Sequence, residues 1–353
     1  MRAMLFEKTG TLLRLTDIPQ PRPGKGQLLI KVEYCGICRT DLHVMDGELT
    51  EPKLPLVLGH QIVGVVEEAG PGAKRFQKGK RVGVPWLGWT CGDCFYCRTD
   101  RENLCEKARY TGYQIDGGMA DYCVAEEAFC FEIPLGFDGF HAAPLLCAGM
   151  IGYRALKMAG DFHDLGFYGF GSAAHLLTQL VQHRGDRVYA FTKPGDRKTQ
   201  DFARKLGAFW AGGTDEKPPV ELDSALIFAP AGELVPLALS AVKRGGKVVC
   251  AGIHMSAIPS FSYDLLWGER SVQSVANLTR EDGREFFSLL TQIQVHPEVK
   301  VYALEEANQA LDDLRHGAFQ GSAVLQIAEP SQANAVTRLK RILKRYSRLS
   351  TRK

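Results

Sequence analysis

Gly169-Phe170-Gly171-Ser172-Ala173-Ala174 stands between a short apolar run beginning at Leu165 and a helical pattern from His175 to Gln182. It fits G-x-G-x-x-G/A, where glycine allows a tight turn and a pyrophosphate can approach a helix N-terminus. Such a loop alone constrains little, but its surroundings constrain a great deal. Strands starting at Arg187, Ser224 and Lys247 alternate with helices over 200–206 and 234–242. Short apolar strands alternating with helices predict an α/β doubly wound parallel sheet. Gly169, Gly171 and Ala174 then become the contacts to a dinucleotide.

The choice of dinucleotide is read from the next strand. It ends Tyr189-Ala190-Phe191-Thr192-Lys193, with no acid to take a ribose 2′-hydroxyl. Thr192, Lys193, Arg197 and Lys198 stand there instead and suit a 2′-phosphate. NADP(H) is the expected cofactor, with NAD(H) accepted less well.

The first ~130 residues have another rhythm. Strands over 28–34, 62–67 and 81–84 are separated by Gly and Pro, which suggests a barrel-like β domain. A helix over 286–293, further strands at 302–304 and 323–327, and a helix from Glu305 to Arg315 suggest a return to that domain. The expected division is residues 1–152, a dinucleotide domain over 153–288, a return over 289–330, and a tail over 331–353. In the tail, Val336, Leu339, Leu343, Tyr346 and Leu349 recur at helical spacing among eight basic residues, so it reads as a basic amphipathic helix.

Ten cysteines matter more than bulk composition. Cys91-x2-Cys94-x2-Cys97-x7-Cys105 places four thiolates where they can close tetrahedrally around one ion. That leaves no open position, so the expected zinc is structural, with an iron–sulfur cluster as the chemical competitor. A second set lies apart in sequence. Cys38, His60 and Cys147 would give three ligands and one open position, as a catalytic zinc requires. Within Cys38-Arg39-Thr40-Asp41-Leu42-His43, Asp41 can fix the His60 imidazole. Thr40 can bond a substrate oxygen and His43 can take its proton onward. Thr40 and Asp41 also suit a helix N-cap.

A formal net charge of +3 is too weak to argue for nucleic acid or a membrane surface, and no nucleic-acid partner is expected. No apolar run follows Met1-Arg2, and no stretch is long enough to cross a membrane as a helix. A cytoplasmic protein acting on a small molecule is expected.

These pieces together resemble the zinc-dependent alcohol dehydrogenases of the medium-chain dehydrogenase/reductase superfamily, in the bacterial group near the cinnamyl alcohol dehydrogenases. The resemblance runs from Met1 to about Ile327. It is carried by Gly36-Ile37-Cys38-Arg39-Thr40-Asp41-Leu42-His43, Val84-Pro85-Trp86-Leu87-Gly88, Leu145-Leu146-Cys147-Ala148-Gly149 and Ser274-Val275-Ala276-Asn277-Leu278-Thr279-Arg280. It implies a GroES-like β-rich catalytic domain, a Rossmann domain and two zinc ions per chain. It implies Arg39 at the cofactor pyrophosphate, Thr40 and His43 as a proton relay, and Trp86 in the substrate pocket. Leu49 stands where yeast-type relatives carry a second Trp, which implies a wider pocket for bulky or aromatic primary alcohols and their aldehydes. Family habit implies a homodimer or homotetramer. Gln61 departs from the pattern, since most relatives have Glu after the histidine ligand; the basic tail departs too. A reductase working toward the alcohol is one competing reading. A catalytically silent zinc- and dinucleotide-binding protein docking through its tail is another. A quinone reductase, which would lack both zinc sets, is a third.

Overall fold

The computed structural model describes residues 1–328; the tail expected over 331–353 lies outside the described residues. Two sheets organise the chain. One is wholly parallel, with six strands in the spatial order Trp210–Gly213, Arg187–Thr192, Asp164–Tyr168, Leu222–Ile227, Val242–Cys250, Ser271–Ser274. The order reverses between Asp164–Tyr168 and Leu222–Ile227, so a crevice opens at the carboxyl ends of the strands, where such sheets bind ligands. Asp164–Tyr168 is buried along its whole length, as a central parallel strand covered on both faces must be. Helix Ser172–His183 covers one face and buries Ala174, Leu176, Leu177, Leu180 and Val181. Each buried leucine there contributes about 2 kcal/mol.

The sequence reading omits two of these strands, Trp210–Gly213 and Ser271–Ser274. Trp210-Ala-Gly-Gly carries two glycines and no alternation, so its strand character comes from pairing with Tyr189 to Thr192 rather than from propensity.

The second sheet has seven strands and is built around the long strand Gln27–Ile37. That strand pairs with Gln61–Ala69, with Tyr122–Glu126 and, near its end, with Ser322–Gln326. Arg81–Val84 and Phe131–Glu132 extend one side, and Val299–Ala303 the other. After the parallel sheet, the strands Val299–Ala303 and Ser322–Gln326 thus join the sheet built on Gln27–Ile37. Helix Ala148–Ala159 runs unbroken between the lobes, with Cys147 immediately before it. Ser172 and Ser322 share a hydrogen bond of 2.6 Å, and Gln179 bonds the backbone of His296 in both directions. These contacts tie the first helix of the parallel layer to the returning segment. Among the described residues no helix is long and apolar enough to cross a membrane.

Candidate functional site

Cys38 ends the long strand and begins helix Arg39–Asp46. Its sulfur accepts from the Thr40 N–H at 3.3 Å, and Asp41 accepts from the Cys38 N–H at 2.9 Å, which makes a capping box. The cap is thus Cys38 itself, not Thr40 or Asp41 as the sequence suggests; Asp41 is its reciprocal partner. The other Asp41 oxygen takes the Gly59 N–H at 3.3 Å and lies 3.5 Å from His60 Nδ1. Gly59 has φ +93°, and a Cβ there would stand 2.5 Å from Cys35 Sγ. Glycine alone fits, and it turns His60 inward just before strand Gln61–Ala69. Cys147 follows the turn Ala143–Leu146.

Cys38 Sγ lies 3.1 Å from His60 Nε2 and 4.0 Å from Cys147 Sγ. All three donor atoms fall within 4.8 Å of one another. Ligands on a tetrahedral zinc are roughly 3.5–3.8 Å apart, so this set fits such an ion after small adjustment. The electrostatics agree. Hydrogen bonding from the Cys147 thiol and the nearby His60 charge hold the Cys38 thiol well below its ordinary range, while Cys147 is correspondingly pushed up. Burial opposes charge on His60, but Cys38 and Asp41 outweigh it and push the imidazole up to about 10. The cluster thus favours a nearby positive charge, which a bound cation would supply in place of a proton.

His43 is buried on the same helix, and its Nδ1 contacts the Glu48 carboxylate. Its ring lies 5.5 Å from that of His254, which belongs to the loop after strand Val242–Cys250 of the parallel sheet. Glu48 and His254 are absent from the sequence reading. The left-handed Gly47 that ends the helix signals a turn, but not that the turn brings Glu48 back onto His43. Thr40 lies on the first turn of this helix, and Arg39 is exposed beside it.

Trp86 stacks on Tyr110 with centroids 4.1 Å apart, and its ring lies 6.3 Å from that of His60. Leu49 packs partly buried against the core of the first lobe. Gln61 is 2% exposed and faces Gly36 on the neighbouring strand. Its amide nitrogen is buried without a partner among the described residues.

The four cysteines 91, 94, 97 and 105 also converge within 4.8 Å, with Cys91 Sγ 3.9 Å from Cys97 and 3.6 Å from Cys105. Little regular structure supports them beyond the short turns Phe95–Arg98 and Glu102–Leu104. A backbone N–H at Cys97 draws the Cys94 thiol down to about 7, while Asp93 pushes Cys91 up to about 12. Four soft donors at tetrahedral distances suit zinc, and binding there displaces protons.

At the glycine-rich loop, Gly169 has φ +91° and lies so close to Ala229 that a Cβ would meet its nitrogen at 2.9 Å. Gly171 starts helix Ser172–His183 without a side-chain cap, so the first N–H groups remain for an anion. Ala174 is buried beneath. Thr192 requires correction. It is 3% exposed, and its hydroxyl donates toward the Gly212 and Lys193 carbonyls and accepts from Gln200, so its hydrogen bonds are already taken within the fold. Lys193, Arg197 and Lys198 are exposed. An acid does stand in this turn, Asp196, but its carboxylate caps helix Arg197–Lys205 through the Thr199 N–H.

Residues 24–135 match the alcohol dehydrogenase GroES-like domain. A probable alcohol dehydrogenase of Mycobacterium tuberculosis is 42% identical over 327 residues, covering 90% of this chain and 94% of that protein. An alcohol dehydrogenase of Geobacillus stearothermophilus is 34% identical, covering 93% of this chain and all of the other. Among solved structures, a thermostable alcohol dehydrogenase of Pyrobaculum aerophilum with bound cobalt and zinc superposes with a TM-score of 0.83 at 26% identity, covering 93% of this chain and 99% of that one.

Proposed function

From the premise that the chain belongs to the zinc-dependent alcohol dehydrogenases of the medium-chain superfamily, we propose that it interconverts a primary alcohol and its aldehyde at the Cys38–His60–Cys147 cluster. The observation that carries this is the convergence of those three donors, with Asp41 seated behind His60. Zinc at this cluster supplies a Lewis acid that makes an alcohol more acidic, and a nicotinamide supplies the hydride acceptor or donor.

The chain's own residues do the rest. Asp41 fixes the ring of His60 so that Nε2 faces the two sulfurs. Thr40 offers a hydroxyl on the first turn of the helix that Cys38 caps, and His43 receives the proton from it. Glu48 holds His43 Nδ1, which leaves Nε2 to take that proton. Arg39 binds the cofactor pyrophosphate together with the uncapped helix start at Gly171. Trp86, stacked on Tyr110, forms a rigid apolar wall beside His60, and Leu49 in place of a larger ring leaves space for bulky or aromatic substrates. Gln61 leaves the field at the metal without the negative charge of a glutamate.

NADP(H) preference rests on Lys193, Arg197 and Lys198 at the end of strand Arg187–Thr192, with Asp196 turned to its own helix. That preference favours working toward the alcohol. Two zinc ions per chain, a homodimer or homotetramer, and a cytoplasmic location complete the reading. Relatives named as alcohol dehydrogenases over nearly the whole chain set aside the silent docking protein.

The test is an NAD(P)H-oxidation screen over aliphatic, aromatic and cinnamyl aldehydes, run beside Cys38→Ala. The wild type is expected to turn over benzyl-sized aldehydes with NADPH at least tenfold more efficiently than with NADH. No turnover of any aldehyde by the zinc-loaded wild type overturns the activity, and a tenfold preference for NADH overturns the cofactor assignment.

A further inference from the structure

The four-cysteine lobe does not simply project into solvent. Two residues of its last turn, Glu102 and Asn103, are buried although Asp100, Arg101 and Leu104 around them are exposed. Both reach the parallel-sheet lobe. Asn103 Nδ2 donates to the Ala276 carbonyl at 2.7 Å. Glu102 accepts from the Arg280 backbone N–H at 2.8 Å and grips the guanidinium with both oxygens, with Nε 2.9 Å from each. The same guanidinium lies 4.7 Å over the ring of Phe129 from the first lobe.

The segment they hold lies at the carboxyl end of the sheet. It follows strand Ser271–Ser274, and Val275 N–H bonds the carbonyl of Cys250, the last residue of the neighbouring strand. From Cys250 the chain runs on to His254, whose ring faces His43. The carboxyl ends of these strands border the crevice in which a parallel sheet of this order takes its ligand. Asn277 within the segment has φ +54°, and its amide nitrogen is buried without a partner among the described residues. Hydrogen bonds therefore run from the lobe to this segment and from the segment to the carboxyl end of strand Val242–Cys250, which leads on to His254.

We propose that Glu102 and Asn103 are positioning residues that couple the four-cysteine lobe to the cofactor crevice. Metal in the lobe fixes the turn before Cys105; that turn fixes residues 276–280; and that segment shapes the crevice for a nicotinamide dinucleotide. Linkage makes the effect reciprocal, so a dinucleotide tightens metal in the lobe by the factor by which the metal tightens the dinucleotide. The proposal rests on the reading above that the lobe holds zinc and that the parallel sheet binds a dinucleotide.

The experiment uses the full chain in a Cys38→Ser background, which leaves the four-cysteine lobe as the complete zinc-binding set. Zinc affinity is measured by competition with a chelator, with and without saturating NADPH or NADH, whichever binds more tightly. Dinucleotide affinity is measured by nicotinamide fluorescence, with and without zinc. Each ligand is expected to tighten the other by about tenfold. Glu102→Gln should cut both factors below about twofold, and Glu102→Asp should restore part of them. Asn103→Ala, which removes one hydrogen bond and no charge, should cut them to about threefold and serves where Glu102→Gln fails to fold. Binding of both ligands with no mutual effect overturns the proposal alone, as does full coupling in Glu102→Gln. A lobe without zinc or a chain without dinucleotide binding overturns the underlying reading and the proposal with it.

Discussion

The two cysteine clusters would hold a metal in opposite ways. Cys38, His60 and Cys147 come from separate stretches, with Cys147 standing 109 positions beyond Cys38. Each is placed by something already folded: a helix cap, a strand start, and the turn before a helix. Cys91, Cys94, Cys97 and Cys105 lie within one loop whose only regular structure is two short turns. In the first case the fold makes the site, and in the second the site makes its fold. A metal held by the fold is free to keep an open position for chemistry, whereas a metal that builds its own loop spends all four positions on doing so.

The sharpest way to break this contrast is to remove one ligand from each cluster. Cys38→Ala should lower kcat/KM roughly a thousandfold, equivalent to about 4 kcal/mol of transition-state stabilisation, with little change in Tm. Metal analysis should show the lobe still loaded. Cys97→Ala should do the reverse in kind: zinc leaves the lobe, and limited proteolysis opens between residues 91 and 105. Tm should fall by several degrees, and activity should fall only as far as the fold and the contact to Arg280 loosen. Equal loss of Tm in both variants would erase the distinction.

A subtler probe lies behind the first cluster. Asp41→Asn keeps the capping shape but removes the charge beside His60, and should weaken catalytic-site metal binding by about 10–100-fold in chelator competition. The smallest expected effect is at Gln61. Gln61→Glu restores a negative charge near the site and should change turnover by a few-fold with the metal content unchanged. Loss of the catalytic zinc in that variant would show the cluster to be less firmly set by the fold than its buried donors suggest.

How much of this the sequence discloses follows the same contrast. The four-cysteine lobe is legible in its spacing because its partners are close along the chain. The parallel sheet is legible because period and punctuation are local signals. Cys38, His60 and Cys147 are candidates by residue type and placement but are not assembled by spacing, and the family resemblance strengthens that grouping. Glu48 against His43, and Glu102 against Arg280, escape sequence reading because such partners meet only after the chain has folded back. Thr192 misleads for a related reason. A hydroxyl at the end of a strand looks available, and only the neighbouring strand and helix show that Gly212 and Gln200 have claimed it.

The return of the chain to its first lobe has a consequence for synthesis on the ribosome. Strand Gln27–Ile37, which leads directly into Cys38, pairs along its end with Ser322–Gln326, from Tyr34 opposite Gln326 to Ile37 opposite Ala323. That neighbour is almost the last described part of the chain to be translated. Until it emerges, the edge of the strand that delivers Cys38 stays unpaired while the whole parallel-sheet lobe is made and has time to fold. In the order of synthesis every strand of the parallel sheet therefore precedes Ser322–Gln326, the strand that closes the sheet beside Cys38.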